Sequence, residues 1–127
     1  MIGYVTLGTR DLAKARKFYD PVLGLLDAKP TGWTSERAAF YQAGNGPMIA
    51  VMYPFDGRPA TWGNGSMVAL AAPTRQVVDK MHALALSLGG ADEGAPGLRG
   101  DDPNGFYGAY FRDPDGNKLC IFRMGPP

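Results

Sequence analysis

The sequence predicts an α+β fold made of two βαβββ halves, and three observations lead to this prediction. A strand, an amphipathic helix and three further strands follow one another in residues 1–55, and the same order recurs in residues 66–127. A connector rich in proline and glycine, residues 56–65, separates the halves. The last two strands flank Asp113-Pro114-Asp115-Gly116, a turn sequence typical of a β-hairpin. We therefore expect one domain over residues 1–127, in which a curved mixed sheet forms a cup.

The first half begins with a predicted strand at Ile2–Gly8, which is rich in β-branched and aromatic residues. Thr9 or Asp11 is expected to cap the helix that follows, because short polar side chains accept hydrogen bonds from free backbone N–H groups. Pro21 and Gly24 are expected to end this helix. The remaining strands of this half are predicted at Leu25–Thr31, Arg37–Ala43 and Pro47–Phe55.

The second half repeats this order. A strand at Ser66–Ala72 leads to Thr74, the predicted N-cap of a helix over Arg75–Leu88. Apolar residues recur along that helix at every third or fourth position, which indicates one buried face. A short strand at Ala91–Glu93 and a loop at Ala95–Gly105 are expected before the hairpin.

The hairpin strands are predicted at Phe106–Phe111 and Leu119–Phe122. Successive side chains of a strand point to opposite faces of the sheet. Lys118, Cys120 and Phe122 are therefore expected on one face, with Leu119 and Ile121 on the other.

The composition argues against several classes of protein. Lys and Arg number 13 against 12 Asp and Glu, and no basic stripe is present, so nucleic acid is not an expected partner. No apolar run approaches the roughly 20 residues that span a bilayer, and the N-terminus does not resemble a secretory signal. The single cysteine excludes an internal disulfide and is typical of a reducing compartment. We expect a cytoplasmic protein without a membrane partner.

The motifs of both halves together resemble one known group of proteins. The first helix carries D-L-x-x-x-x-x-F-Y, from Asp11 to Tyr19, and the final hairpin carries R-D-P-D-G-N-K-L, from Arg112 to Leu119. With the βαβββ repeat, they resemble the vicinal oxygen chelate superfamily, which includes glyoxalase I, extradiol dioxygenases and bleomycin-resistance proteins. The resemblance covers essentially the whole chain and implies the fold predicted above. It does not select one activity.

In metal-dependent members of that superfamily, side chains from the first, fourth, fifth and last strands bind one divalent ion, most often as His, Glu, His and Glu. The resemblance places these positions at Tyr4, Ala50, Met67 and Cys120. Ions such as Mg, Mn and Zn prefer oxygen and imidazole donors, whereas alanine has no donor and a thioether is a poor ligand. We therefore predict that the protein uses no metal and no other cofactor.

No other catalytic motif is apparent. The only histidine, His82, lies beside the apolar stripe of the second helix and is expected to be a solvated or edge residue. Cys120 lies among apolar residues of the last strand, so a buried unreactive thiol is favoured over a nucleophile. Tyr4 remains the one candidate acid or base for a reaction without metal.

A ligand pocket is predicted inside the cup, where the resemblance implies that apolar, thioether and aromatic side chains converge. Methionine adapts to irregular neighbours, and amphipathic aromatics often close over ligands. An arginine among Arg37, Arg58 and Arg99 is expected to meet an anionic group of the ligand. The predicted pocket residues are Tyr4, Ala50, Met52, Met67, Cys120, Phe122, Trp62 and Tyr107.

Three functions are consistent with these features: metal-free binding of a small, largely apolar or aromatic molecule, a metal-independent lyase or isomerase, or a vestigial structural or partner-binding role. An open cup favours the first two, whereas a cup filled by Met48, Met67 and Phe122 favours the third. A homodimer is also expected, because Trp62 and the apolar strand Pro47–Phe55 offer surface to bury.

Overall fold

Each half of the chain forms a four-stranded sheet with one helix, in a computed structural model that covers residues 1–127. The first half contains β1 (Tyr4–Gly8), α1 (Leu12–Gly24), β2 (Lys29–Pro30), β3 (Ala38–Gln42) and β4 (Met48–Met52). The second half contains β5 (Val68–Ala71), α2 (Arg75–Ser87), β6 (Ala91–Leu98), β7 (Phe106–Arg112) and β8 (Lys118–Met124). The strand orders are β1-β4-β3-β2 and β5-β8-β7-β6. In each sheet the first strand is parallel to the last, and the other pairs are antiparallel.

The predicted α+β fold of two βαβββ units is confirmed. The two sheets are nevertheless separate, because β1 and β5 are both edge strands and no backbone hydrogen bond joins them. The two edges do approach each other, since Thr6 and Leu7 line the same cleft as Met67 and Val68.

Both helices begin at the predicted caps. The side chain of Asp11 accepts a hydrogen bond from the Lys14 amide at 3.1 Å, and that of Thr74 accepts one from the Val77 amide at 3.2 Å. The prediction that Pro21 ends the first helix is wrong, because α1 continues through it to Gly24. Neither helix is long and apolar enough to cross a membrane.

β2 and β6 depart furthest from their predicted lengths, and β4 is also shorter than predicted, at Met48–Met52 instead of Pro47–Phe55. β2 is only Lys29–Pro30, because Leu25 and Leu26 pack against the hydrophobic core in a turn that ends at Asp27, where φ is 57°. β6 runs from Ala91 through to Leu98, although only Ala91–Glu93 was expected to be a strand and the loop was expected to begin at Ala95. Its pairing with β7 is irregular around Gly94, and such bulges remove the alternating pattern by which a strand is recognised. β6 is an edge strand, which accommodates Pro96.

One hydrophobic core joins the two halves. A cluster of 18 buried residues draws on both helices and both sheets. The ring centroids of Phe18 in α1 and Phe111 in β7 are 6.3 Å apart, and those of Tyr19 and Tyr41 are also 6.3 Å apart. Helix α1 therefore packs against the second sheet as well as its own.

The loop between β7 and β8 carries a buried carboxylate, Asp113, which is only 3% exposed. Its Oδ1 accepts the backbone N–H groups of Asp115 and Asn117 at 2.9 and 2.8 Å, which fixes the loop. Its Oδ2 accepts the Tyr19 hydroxyl at 2.5 Å and the Asn117 amide at 2.8 Å. Because Tyr19 belongs to α1, this carboxylate links the two halves.

Two further side chains of the same loop reach the end of β1. Asp115 accepts hydrogen bonds from the Thr9 hydroxyl at 2.6 Å and the Arg10 backbone N–H at 2.9 Å. Asn117 donates to the Gly8 carbonyl at 2.9 Å. We call Asp113, Asp115 and Asn117 the latch, since their side chains fasten the second half to β1 and α1.

The latch predicts a large loss of stability in Tyr19→Phe. The substitution keeps the ring but leaves a buried carboxylate one donor short, which should lower the free energy of unfolding by about 1.5 to 3 kcal/mol. Tyr41→Phe is a matched control, because it also removes a tyrosine–aspartate bond, at 2.6 Å, but its partner Asp20 is exposed to water. Urea denaturation should show a clearly smaller loss for Tyr41→Phe, and equal losses would contradict the role of the latch.

The cost of Tyr19→Phe should also depend on pH. Burial raises the pKa of Asp113 above its ordinary value of 3.8, and the Tyr19 hydrogen bond opposes that rise. Removing the hydroxyl therefore raises the folded-state pKa further. Stability tied to a raised carboxyl pKa is fully present below the unfolded value and is lost as pH rises through the folded value. The difference in unfolding free energy between wild type and Tyr19→Phe should grow from about pH 4 towards neutrality. A difference that shrinks over this range would refute the argument.

Candidate functional site

The helices cover one face of each sheet and leave the other uncovered. Leu7, Tyr41 and Val51 of the first sheet belong to the core, as do Leu119 and Ile121 of the second. Alternate residues of the same strands therefore lie on the opposite faces, which we call the open faces. The open faces contain Tyr4, Thr6, Ala38, Phe40, Met48, Ala50 and Met52 in the first half, and Met67, Ala69, Phe106, Gly108, Tyr110, Lys118, Cys120 and Phe122 in the second. The predicted alternation along the last strand is confirmed.

Three aromatic side chains form a patch on the open face of the first sheet. The ring of Phe40 meets the rings of Tyr4 and Trp33 edge to face, at centroid distances of 5.8 and 5.7 Å. Tyr4 is 51% exposed and Trp33 is 65% exposed, so this aromatic patch is open to solvent. Edge-to-face packing of this kind leaves ring surface available to a further apolar group.

The second sheet carries a stacked pair of rings. Phe106 and Phe122 are 5.1 Å apart with an interplanar angle of 12°. This stack requires Gly108 beneath it, because a Cβ atom there would lie 2.4 Å from the Phe106 ring. Beside the stack, the ring of Tyr110 lies 5.4 Å from the Arg99 guanidinium and 5.6 Å from the Lys118 ammonium. The second open face is thus aromatic with a cationic border.

Cys120 has the environment of an unreactive thiol. It is 1% exposed, and burial raises its pKa, although a hydrogen bond with Tyr110 and the nearby Arg99 partly offset the rise. The thiolate is the nucleophilic form of cysteine, so a raised pKa disfavours nucleophilic chemistry near neutral pH.

Trp62 and Tyr107 are placed differently from each other. Trp62 is in the connector, where its ring packs on Gly116, and it lines a small cleft of about 130 Å³ together with three residues of the open faces, Thr6, Met67 and Lys118. Tyr107 is on the helix side of β7, and its hydroxyl donates to Asp79 of α2 at 2.6 Å. Its assignment to the ligand pocket does not match this placement.

His82 is also placed differently from the expectation. It is buried between α2 and β6, with 7% of its surface exposed, and its Nε2 lies 2.9 Å from Asp92 Oδ1. The helical pattern places His82 beside the apolar stripe, and although a strand is predicted at Ala91–Glu93, the sequence does not show that this strand packs beside His82. His82 thus has a structural partner and is remote from both open faces.

The strand order and the motifs of the two halves can now be set beside those of known proteins. The family model of the glyoxalase/bleomycin resistance protein/dioxygenase superfamily matches residues 1–121. The chain belongs to this superfamily. No curated protein matches the chain.

Several solved structures of the superfamily are similar. A glyoxalase/bleomycin resistance protein from Albidiferax ferrireducens T118 is 38% identical with a TM-score of 0.86, over 97% of this chain and 98% of that one. A glyoxalase-related enzyme from Fulvimarina pelagi is 22% identical with a TM-score of 0.74, over 97% and 87% of the two chains. Lactoylglutathione lyase from Agrobacterium tumefaciens is 23% identical with a TM-score of 0.64, over 97% and 92%. The last two likenesses show the fold alone.

The four positions matched to the superfamily's metal ligands do not fit a divalent ion here. Tyr4 and Ala50 lie on the open face of the first sheet, and Met67 and Cys120 on that of the second. Alanine has no donor atom, Met67 offers only a thioether, and the raised pKa of Cys120 disfavours its metal-binding thiolate. No group of three or more His, Cys, Asp and Glu side chains in the chain is arranged to hold a metal ion.

Sequence reasoning missed two residues of the open faces and the contacts of the latch. Phe40 and Phe106 were not assigned to the site, although alternation from the buried Tyr41 and Ala109 would have placed them there. The connection of the latch to β1 and α1 was also missed, because hydrogen bonds between residues more than 90 positions apart leave no local pattern.

Proposed function

We propose that the open faces bind a small, largely apolar or aromatic molecule without the help of a metal. The observation that carries the proposal is the solvent-exposed aromatic patch of Tyr4, Trp33 and Phe40. Exposed aromatic surface on the uncovered side of a sheet lowers the solubility of a protein unless a ligand or partner covers it. The Phe106–Phe122 stack supplies a second apolar surface in the other half.

The exposure of these faces argues against a vestigial role. The faces would be filled if Met48, Met67 and Phe122 closed over them. Instead Met67 is 45% exposed, and Met48 and Phe122 are only partly buried.

A metal-independent lyase or isomerase is the second candidate, and Tyr4 is the observation that favours it. Its hydroxyl makes no hydrogen bond within the chain and lies on the open face. A phenol placed beside a bound ligand is able to transfer a proton.

The free thiol of Cys120 supports a reducing, cytoplasmic location for either function.

A matched pair of phenylalanine substitutions tests the binding proposal. Phe40→Ala removes the centre of the aromatic patch, whereas Phe55→Ala removes an equally large ring that is fully exposed between β4 and the connector. In a Trp62→Phe background, Trp33 is the only tryptophan and reports directly on the patch. Quenching by an aromatic probe such as anilinonaphthalene sulfonate should weaken about fivefold in Phe40→Ala and remain unchanged in Phe55→Ala. The proposal is wrong if Phe40→Ala and Phe55→Ala weaken the quenching equally. It is also wrong if sugars change the Trp33 fluorescence and aromatic probes do not.

We also propose that the protein is a homodimer. β1 and β5 are edge strands, each with one edge that pairs with no other strand. The groove between them has a volume of about 830 Å³, with 12 hydrophobic residues among the 16 that line it. Ile2, which lines this groove, is 57% exposed. Unpaired edges and apolar grooves are surfaces that a second copy of a chain buries on association.

Light scattering tests the dimer. Wild type and Phe55→Glu should both have the mass of two chains at tens of micromolar, whereas Ile2→Glu should shift the population towards one chain, because it places a charge in the groove. A one-chain mass for wild type would count against the proposal.

A further inference from the structure

A polar cavity of about 450 Å³ lies at the end of the first sheet, where β1 and β4 finish. Eight residues line it, and only one of them is hydrophobic. Three are arginines, namely Arg10, Arg37 and Arg58. The cavity is lined by none of the residues of the aromatic patch, so it is a separate feature of the molecule.

The fold brings these arginines together from three segments. The Thr9 amide donates to the Met52 carbonyl at 3.0 Å, so Arg10 directly follows the paired end of β1. The Tyr53 amide donates to the Arg37 carbonyl at 3.1 Å, which holds Arg37 at the same edge.

The third arginine is returned to this edge by a turn in the connector. The Gly57 amide donates to the Pro54 carbonyl at 3.1 Å, and φ of Gly57 is 75°, a value that favours glycine. The backbone N–H of Arg58 is then held by Asp56 Oδ1 at 2.9 Å. The prolines Pro54 and Pro59 form rigid walls on both sides of the turn.

The positive charge of the cavity is only partly neutralised. The chain has three ion pairs, and Arg10 is in one of them, with its Nε 3.3 Å from Asp115 Oδ1. Both terminal nitrogens of Arg10 remain unpaired. The side chains of Arg37 and Arg58 make no ion pair or hydrogen bond within the chain. Arg10, Arg37 and Arg58 thus bring three positively charged residues to the lining of one cavity, and an anion bound there would reduce their mutual repulsion.

The other polar groups of the cavity are also suited to an anion. The Tyr53 oxygen accepts the Leu12 backbone N–H at 3.1 Å, which leaves its own proton free to donate. Three nearby acidic side chains accept hydrogen bonds: Asp115 from Thr9 and Arg10, Asp11 from the Lys14 amide, and Asp56 from the Arg58 amide. Glu36, next to Arg37, is exposed and is not among the residues that line the cavity. The cavity therefore offers hydrogen-bond donors on several sides and few free acceptors.

We propose that this cavity binds the phosphate group of a small-molecule phosphoester, with Arg10, Arg37 and Arg58 as charged donors and Tyr53 as a neutral donor. A planar carboxylate presents two oxygens and is satisfied by one guanidinium, whereas a phosphate presents three oxygens and up to two charges to several donors. The balanced charge of the chain, 13 basic against 12 acidic residues, does not provide the extended basic surface that nucleic acid requires. The inference holds whether or not the open faces bind an apolar ligand.

Isothermal titration of the full chain with phenyl phosphate, inorganic phosphate and benzoate tests the proposal. Phenyl phosphate should bind at least as tightly as inorganic phosphate and about tenfold more tightly than benzoate, with affinity that falls as salt is added. If inorganic phosphate binds and phenyl phosphate does not, the proposal of a phosphoester ligand is wrong. If benzoate binds as tightly as phenyl phosphate, the preference for a phosphate group is wrong.

Substitutions locate the binding. Arg37→Gln and Arg58→Gln should each weaken phenyl phosphate binding about tenfold, because each removes a charge-assisted donor. Both arginines are exposed, so the variants should keep the wild-type melting temperature. Arg123→Gln is the control, because it removes the same charge from β8, outside the cavity. Phe40→Ala should also leave phosphate binding intact, which separates this proposal from that of the open faces. Wild-type affinity in Arg37→Gln and Arg58→Gln, or an equal loss in Arg123→Gln, would overturn the site.

Discussion

The buried carboxylate of Asp113 is the constraint on which the arrangement of the two halves depends. Taking a carboxylate out of water is costly unless its oxygens are hydrogen-bonded, and here four donors meet them. Two of these donors shape the loop itself, and the Tyr19 hydroxyl comes from the other half of the chain. The β7–β8 loop therefore takes its shape and its position on α1 from one group. Without it, the β7–β8 loop would lose the hydrogen bonds that shape it, and with them the fixed positions from which Asp115 and Asn117 reach the end of β1.

This constraint also separates the surfaces of the molecule. The latch and the shared core hold the helices against the sheets, and the apolar faces of both helices are buried in that core. The open faces are left free, with their aromatic patch on one sheet and the Phe106–Phe122 stack on the other. Asp115 extends the latch to Arg10, so the same loop that joins the halves also orients one arginine of the polar cavity at the end of the first sheet. The fold thus presents two chemically different surfaces, one aromatic and one cationic.

Much of this fold could be predicted because its signals are local. The caps Asp11 and Thr74, the alternation along β8 and the turn at Gly116, where φ is 93°, all follow from short-range rules of backbone geometry. The errors arose where tertiary contacts override local preference. α1 continues past Pro21 because the next two residues, Val22 and Leu23, are buried in the core. β6 extends to Leu98 because β7 offers a pairing partner despite the bulges.

The sequence predicted the apolar and aromatic character of the candidate site, but not all of the residues that form it. The sequence predicted the face of Tyr4, Ala50, Met52, Met67, Cys120 and Phe122, since period-two alternation determines it once the strands are known. It did not predict the position of Trp62, because the path of the connector depends on distant contacts; the ring packs on Gly116 and lines a cleft with Met67. Tyr107 lies on the face of β7 opposite to Phe106, which alternation along that strand would have shown. The sequence also could not gather Arg10, Arg37 and Arg58 into one cavity, as they lie on three separate segments.

The central claim is that the open faces act without a divalent ion, because the four matched positions lack hard donors. The most direct measurement is elemental analysis of untagged protein after incubation with Ni, Zn, Mn and Fe(II) and removal of free ions. We predict far less than one metal ion per chain and an unchanged melting temperature after chelation. About one ion per chain that is lost in Tyr4→Ala or Cys120→Ala would contradict the claim, since it would show that these positions hold a metal.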